Sequence, residues 1–205
     1  MAKLTGPLFS LGAAGAVGKT LVYFGWKGLN VVRQYVVPAN PQTKPQGTQR
    51  GYLRTCITAI HAAQAAAATP LGEIDTMACA LWGSIFPTPR TWFNQIVKNW
   101  LDQKVAGKVP VMFRYGVLTP AVNKIKFELH SLPESGLIIK FKVYWGISKT
   151  ALINSQELTL AEMSAGHDIT GMVKSTKYFL QARVSDPATH MGSMSGIYYA
   201  KTKAA

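Results

Sequence analysis

The stretch KYFLQARVSD, residues 177–186, decides the fold. Its apolar side chains Tyr178, Leu180, Ala182 and Val184 fall at every second position, with other residues between them. A period of two sends alternate side chains to opposite faces, which is the pattern of a half-buried β-strand. The same alternation runs through KIKFELHSL (124–132) and LIIKFKVYWGI (137–147). Turn signals such as Pro133-Glu134-Ser135-Gly136 and Ala165-Gly166 separate these runs at intervals of roughly 10 residues, which suits a sandwich of about seven strands. The pattern holds from Gly107 to the end with no sustained helix, so residues 107–205 are expected to be all β.

Upstream the period lengthens. From about Thr48 to Ala68, Tyr52, Leu53, Cys56, Ile57, Ile60 and Ala63 recur at three and four, as on an amphipathic helix. A second helix is expected from about Leu71 to Phe86, with Glu73 and Asp75 placed to favour its N-terminus. A third runs from about Thr91 to Lys104 and carries Trp92, Phe93, Ile96, Val97, Trp100 and Leu101. Residues 51–106 therefore read as a small helical bundle.

The first 50 residues have neither core period. Residues 1–19 read as extended or loop-like. TLVYFGWKGLNVVRQYVVP (20–38) holds two β-branched and aromatic runs separated by Lys27, Gly28, Leu29 and Asn30, which predicts a hairpin. The three prolines of PANPQTKPQGTQR (38–50) predict an extended, polyproline-like strap. A hairpin alone is marginally stable and must dock on something.

The chain has 205 residues and a formal net charge of +13, and its first acidic residue is Glu73. Lys3, Lys19, Lys27, Arg33, Lys44, Arg50 and Arg54 all precede it, so the N-terminal third is purely cationic. Such a field favours an acidic partner. The charges stand singly among apolar and aromatic residues rather than in tight runs, which favours a protein partner over nucleic acid. Tyr23, Trp26, Lys27, Arg33 and Tyr35 on the hairpin are the candidate interface, continued by Pro38, Asn40, Pro41, Thr43, Gln46 and Arg50 on the strap. Aromatic and Arg anchors typically supply most of the binding energy at such an interface.

Other motifs point to no chemistry. GAAGAVGKT (12–20) ends like a P-loop, but counting back from Gly18 places Ala13 where the first key glycine belongs. Cys56 and Cys79 form no CxxC pair, and His61, His130, His167 and His190 fall in separate expected elements, so no metal site is expected. Glu73, Asp75 and Asp102 read as helix-terminal or surface acids, and Asp168 and Asp186 as loop residues of the sandwich. The run Met191 to Gly196 reads as a loop rather than a nucleophile motif. Leu8 to Val17 is too Gly-rich for a signal-peptide core, and no run approaches the ~20 apolar residues that span a bilayer. The chain is therefore expected to be a non-enzyme without cofactor, small-molecule substrate or membrane contact, made in a bacterial cytoplasm.

Two resemblances add to this. SGLIIKFKVYWGISKT, ITGMVKSTKYFLQARVSD and SGIYYAKTK resemble strands C, F and G of a fibronectin type III domain, over about residues 110–205. In that family a Thr-x-Tyr at the start of strand F gives a hydroxyl that satisfies nearby backbone, and Thr176 and Tyr178 hold those places. The family's strand B tryptophan is replaced by Phe127 or Leu129. The N-terminal half is similar to a group of phage and prophage proteins. The similarity rests on Trp26-Lys27-Gly28, Val31-Val32-Arg33, the Pro38-to-Arg50 pattern and Trp92-Phe93-Asn94.

The resemblances imply an α+β, multi-part chain: an arm with a hairpin (1–50), a helical region (51–106) and an Ig- or fibronectin III-like sandwich (107–205). They further imply a virion structural protein, foremost a capsid decoration or cement protein, with a tail or baseplate component as the alternative; the aromatic and basic residues of the arm keep a nucleic-acid-binding protein as the second. The expected partners are capsid or tail proteins and further copies of the chain, with nucleic acid in second place.

Overall fold

A computed structural model of the chain describes residues 15–18, 20–27, 29–37, 43–132 and 140–204. Two compact units divide it, Met1–Thr43 and Lys44–Ala205.

In the first unit, β1 (Gly15–Val17), β2 (Leu21–Trp26) and β3 (Leu29–Gln34) form an antiparallel sheet in that order. The expected hairpin is present, with its strands paired as far as Trp26 and Leu29, so Leu29 and Asn30 lie in a strand and not in the turn. A third strand joins it: Gly15, Ala16 and Val17 pair with Tyr23, Val22 and Leu21. Gly18 makes this possible at φ +58, a conformation that costs glycine nothing.

The second unit begins at α1 (Lys44–Gln64), followed by α2 (Glu73–Gly83) and α3 (Trp92–Val105). The strap is thereby corrected, because Lys44 to Arg50 are helical and not polyproline-like. Pro45 sits in the first turn, where its missing N–H is one that no intrahelical carbonyl would have accepted. The chain's break thus falls at Thr43, not at residue 50.

Seven strands follow: β4 (Met112–Pro120), β5 (Ile125–Leu132), β6 (Lys140–Gly146), β7 (Asn154–Thr159), β8 (His167–Ile169), β9 (Lys177–Asp186) and β10 (Tyr198–Lys201). A short helix, α4 (Leu160–Ala165), lies between β7 and β8, and Thr159 and Glu162 bond reciprocally at its start. One sheet has the order β10-β9-β6-β7 and the other β4-β5-β8, all antiparallel. Phe127 and Leu129 from one sheet and Phe141, Val143, Leu180, Ala182 and Val184 from the other meet in one buried core. Fully burying each large member stabilises by about 1.5–3 kcal/mol.

The helices are not a separate domain. Cys56, Ile60 and Ala63 of α1 share a second apolar cluster with Met112, and Trp92, Phe93, Ile96 and Trp100 of α3 pack against it. The α2 helix lies along β10, where the Ile197 N–H donates to the Ala78 carbonyl at 2.9 Å. Gly196 permits this approach, since a Cβ there would stand 2.6 Å from the α2 backbone. A further tie is Asp75, 2 % exposed. It accepts from the N–H groups of Gly72 (2.9 Å), Tyr115 (2.9 Å) and Gly116 (2.8 Å) and from the Tyr198 hydroxyl (2.7 Å). Tyr115 and Gly116 form a bulge in β4, and Asp75 takes the amides that the bulge removes from the ladder.

Candidate functional site

The β1-β2-β3 sheet of the first unit carries the expected interface. Because Tyr23 opposes Val32 while Val22 opposes Arg33, the strands present two different faces. On one, the Arg33 guanidinium lies 5.3 Å from the centre of the Phe24 ring, a cation–π contact. Lys27 turns the hairpin at φ +49. Tyr35 follows β3, and its N–H donates to the Thr20 carbonyl at 2.7 Å, which extends the pairing by one step.

None of the described side chains of residues 16–43 is buried. Leu21, Val32, Tyr35, Val36 and Val37 are exposed, the last two at 70 % and 72 %. Apolar surface of this extent on a small sheet costs free energy in water and favours a covering partner. Among the described residues β3 pairs on one side only, so its other edge offers backbone donors and acceptors. Cations, apolar side chains and an open strand edge together suit β-augmentation of a protein partner.

The structure places Tyr23 and Arg33 on opposite faces of this sheet, Lys27 at its turn and Tyr35 just past β3, and Trp26 ends β2 opposite Leu29. Pro38, Asn40 and Pro41 lie outside the described residues. Thr43 is exposed at the end of the first unit, whereas Gln46 and Arg50 belong to α1 in the second. The proposed interface residues therefore divide between two bodies. Exposed Val36 and Val37 were not among them, although the β-branched pair beside Tyr35 is visible in the sequence.

The remaining motifs resolve as structure. Gly15 to Val17 are a strand and Gly18 a turn to the next strand, so no helix opens after it as a P-loop requires. Ser193 and Ser195 are fully buried. The Val111 N–H donates to Ser193 Oγ at 3.0 Å, and the Ala182 N–H donates to Ser195 Oγ at 2.9 Å. Their segment pairs with β9 through Met194 and Arg183 rather than looping free. Asp168 lies in β8, not in a loop, and its carboxylate accepts from the Lys124 ammonium, which holds its pKa below the ordinary value. Cys56 and Cys79 are free thiols, and burial pushes their pKa values up to about 11 and about 12. Such thiols are poor nucleophiles. Among the described residues no three His, Cys, Asp or Glu side chains are grouped to hold a metal, and no helix is long and apolar enough to cross a membrane.

The Thr176-x-Tyr178 motif behaves as its resemblance implies: the Val173 N–H donates to the Tyr178 hydroxyl at 2.9 Å. No family model matches this chain, and no curated protein matches it. Among solved structures it is similar to an fn3 domain of human contactin 1, at 16 % identity and a TM-score of 0.37, over 44 % of this chain and 75 % of that one. It is also similar to the FN5 domain of Drosophila Lar, at 18 % identity and a TM-score of 0.33, over 44 % of this chain and 92 % of that one.

Proposed function

We propose that this chain is a structural component of a tailed-phage particle, a capsid decoration or cement protein held in place by its N-terminal sheet. The observation that carries the reading is that sheet and the residues just after it: three strands with no described side chain buried, exposed Tyr35, Val36 and Val37 following β3, and Lys27 and Arg33 with no acid before Glu73. A sheet of this kind acquires a core when it docks, by adding its open β3 edge to a neighbour and laying its apolar residues on an acidic shell surface. Arg33 and Trp26 are the anchors. Binding repeated across a lattice holds far more firmly than one arm in solution.

The second unit is then the displayed part, read as a fibronectin III-like sandwich. The order β10-β9-β6-β7 beside β4-β5-β8 supports that reading, as do the Tyr178 hydroxyl on the Val173 amide and the burial of Phe127 and Leu129, either of which takes the place of the family's tryptophan.

The test uses particles stripped of this protein and offered either the full chain or a form lacking residues 1–43. The full chain is expected to restore occupancy and the truncated form to leave the particles bare. Equal occupancy of the two overturns the arm as anchor. Electron cryomicroscopy of the restored particles then assigns head or tail; a tail position makes the chain a baseplate or tube component with the same anchor.

A further inference from the structure

The outer face of the β10-β9-β6-β7 sheet gathers cations and aromatic rings. The inward positions of β9 are Tyr178, Leu180, Ala182 and Val184, so Lys177, Phe179, Gln181 and Arg183 point outward. The strand registers set Lys201 beside Lys177, Tyr199 beside Phe179, Tyr144 beside Gln181, and Lys142 beside Arg183. The face thus has a cationic row at each end and two aromatic rows between. In these four rows the one acid among the described residues is Glu157, opposite Lys142. The outer rows are six residues apart, a span of about 20 Å at ~3.3 Å per residue.

We infer that this face binds single-stranded nucleic acid along the strand direction, with phosphates on the two cationic rows and bases stacked on Phe179, Tyr199 and Tyr144. Tyr199 is 52 % exposed, and Phe179 and Tyr144 are half-buried. The Lys177 ammonium lies 4.0 Å from the centre of the Tyr199 ring and 5.2 Å from that of Phe179. Lys142 stands 5.6 Å from the Tyr144 ring. Exposed cation–π contacts of this kind are weak, so the lysines can move to a phosphate and free the rings for a base. Tyr144, Gln181 and Arg183 themselves line a cleft of about 280 Å³ with Trp82 and Lys149, which offers a further ring and cation. A duplex hides its bases from such a surface. A hydroxyl-rich polymer would want carboxylate and amide acceptors, which these rows supply only as Glu157 and Gln181. One cation and one π face per repeating unit is the demand of a single strand.

The test is fluorescence anisotropy of a labelled oligothymidylate with the full chain across a salt series. Binding is expected to strengthen as salt falls and to exceed that of a duplex of equal length. In Lys177→Ala/Lys201→Ala the slope of log affinity against log salt should flatten by about 1.4, since each lost phosphate contact removes roughly 0.7 on a single strand. Phe179→Ala should cost about tenfold in affinity with the slope unchanged, and Phe179→Tyr should restore it, as stacking loss predicts. Lys27→Ala/Arg33→Ala serves as the control for binding through the arm and should leave the slope as it was. Unchanged affinity and slope in both sheet variants, or absence of saturable binding at low salt, overturns the inference. Binding of polygalacturonate that oligothymidylate does not displace also overturns it, and makes the face a site for acidic glycan.

Discussion

Asp75 holds three parts of the second unit with one carboxylate. Its oxygens cap the start of α2 through Gly72, take the bulge amides of Tyr115 and Gly116, and accept from Tyr198 on β10. All of these partners donate, so Asp75→Asn replaces one acceptor oxygen by an NH₂ group that faces other donors. A buried donor left without an acceptor costs about 1–3 kcal/mol, which puts the loss near 3 kcal/mol in a urea unfolding titration. Asp102→Asn, at an exposed i,i+4 pair with Lys98, should change stability by less than about 0.5 kcal/mol. Glycines divide in the same way. A Cβ on Gly116 would stand 2.2 Å from the Tyr198 ring, while one on Gly51 meets nothing within 4 Å. Gly116→Ala is therefore expected to destabilise by at least about 2 kcal/mol, by overpacking against a ring that Asp75 holds in place. Gly51→Ala, inside α1, is expected to stabilise by about 0.5–1 kcal/mol. Thermal unfolding of the two variants checks the opposite signs.

At the level of elements, the two units should melt independently. The second keeps both of its apolar clusters when residues 1–43 are removed, so the truncated chain is expected to unfold within about 2 °C of the full chain, a shift of at most about 1 kcal/mol. A loss of more than ~5 °C would instead mean that the arm supports the second unit and that particle binding cannot be its whole role. What the sequence made legible follows the same division. Alternation in β5, β6 and β9 and the three-and-four spacing of the helices are local signals, and they gave the elements near their observed bounds. Thr176 and Tyr178 were legible because that corner spans a few residues. The start of α1 was not, because Pro45, Gly47 and Gly51 weigh against a helix by propensity, yet a proline in the first turn does no harm. Nor was the joining of helices to sandwich, which depends on Gly196 meeting α2 and on Asp75 reaching residues some 40 and 123 positions away. Asp75 reads from sequence as a helix-terminal acid, which it is, and its larger role has no local signature. The arm's candidate residues were placed on one sheet only as far as Tyr35, since Gln46 and Arg50 follow the helix into the other unit.

For the whole molecule, the shifted groups define a pH window of stability with two limbs of different origin. On the acid side, Glu162 is held low by the Thr159 amide and hydroxyl, and Asp168 by the Lys124 ammonium. A depressed folded pKa means that the contribution is present above the unfolded pKa and disappears as pH falls through the folded value, so the loss comes below about pH 4. Both carboxylates are exposed, and this limb is shallow apart from the rising repulsion of a chain already at +13. On the alkaline side, burial raises Cys56 to about 11 and Cys79 to about 12, and burial with the neighbouring Asp75 charge raises Tyr198 well above 10. A raised folded pKa gives the opposite sign. The unfolded thiols ionise first, the contribution is complete only below about pH 8.5, and it is lost as pH climbs toward the folded values. The melting temperature is therefore expected to be level from about pH 5 to 8 and to fall increasingly above pH 9. Cys79→Ala should flatten that alkaline fall while lowering the plateau slightly, and Asp168→Asn should alter only the acid limb. An alkaline limb of equal steepness in Cys79→Ala would show that Cys79 does not drive it, and would leave Cys56 in the α1 cluster and Tyr198, bonded to Asp75 at 2.7 Å, as the groups whose ionisation does.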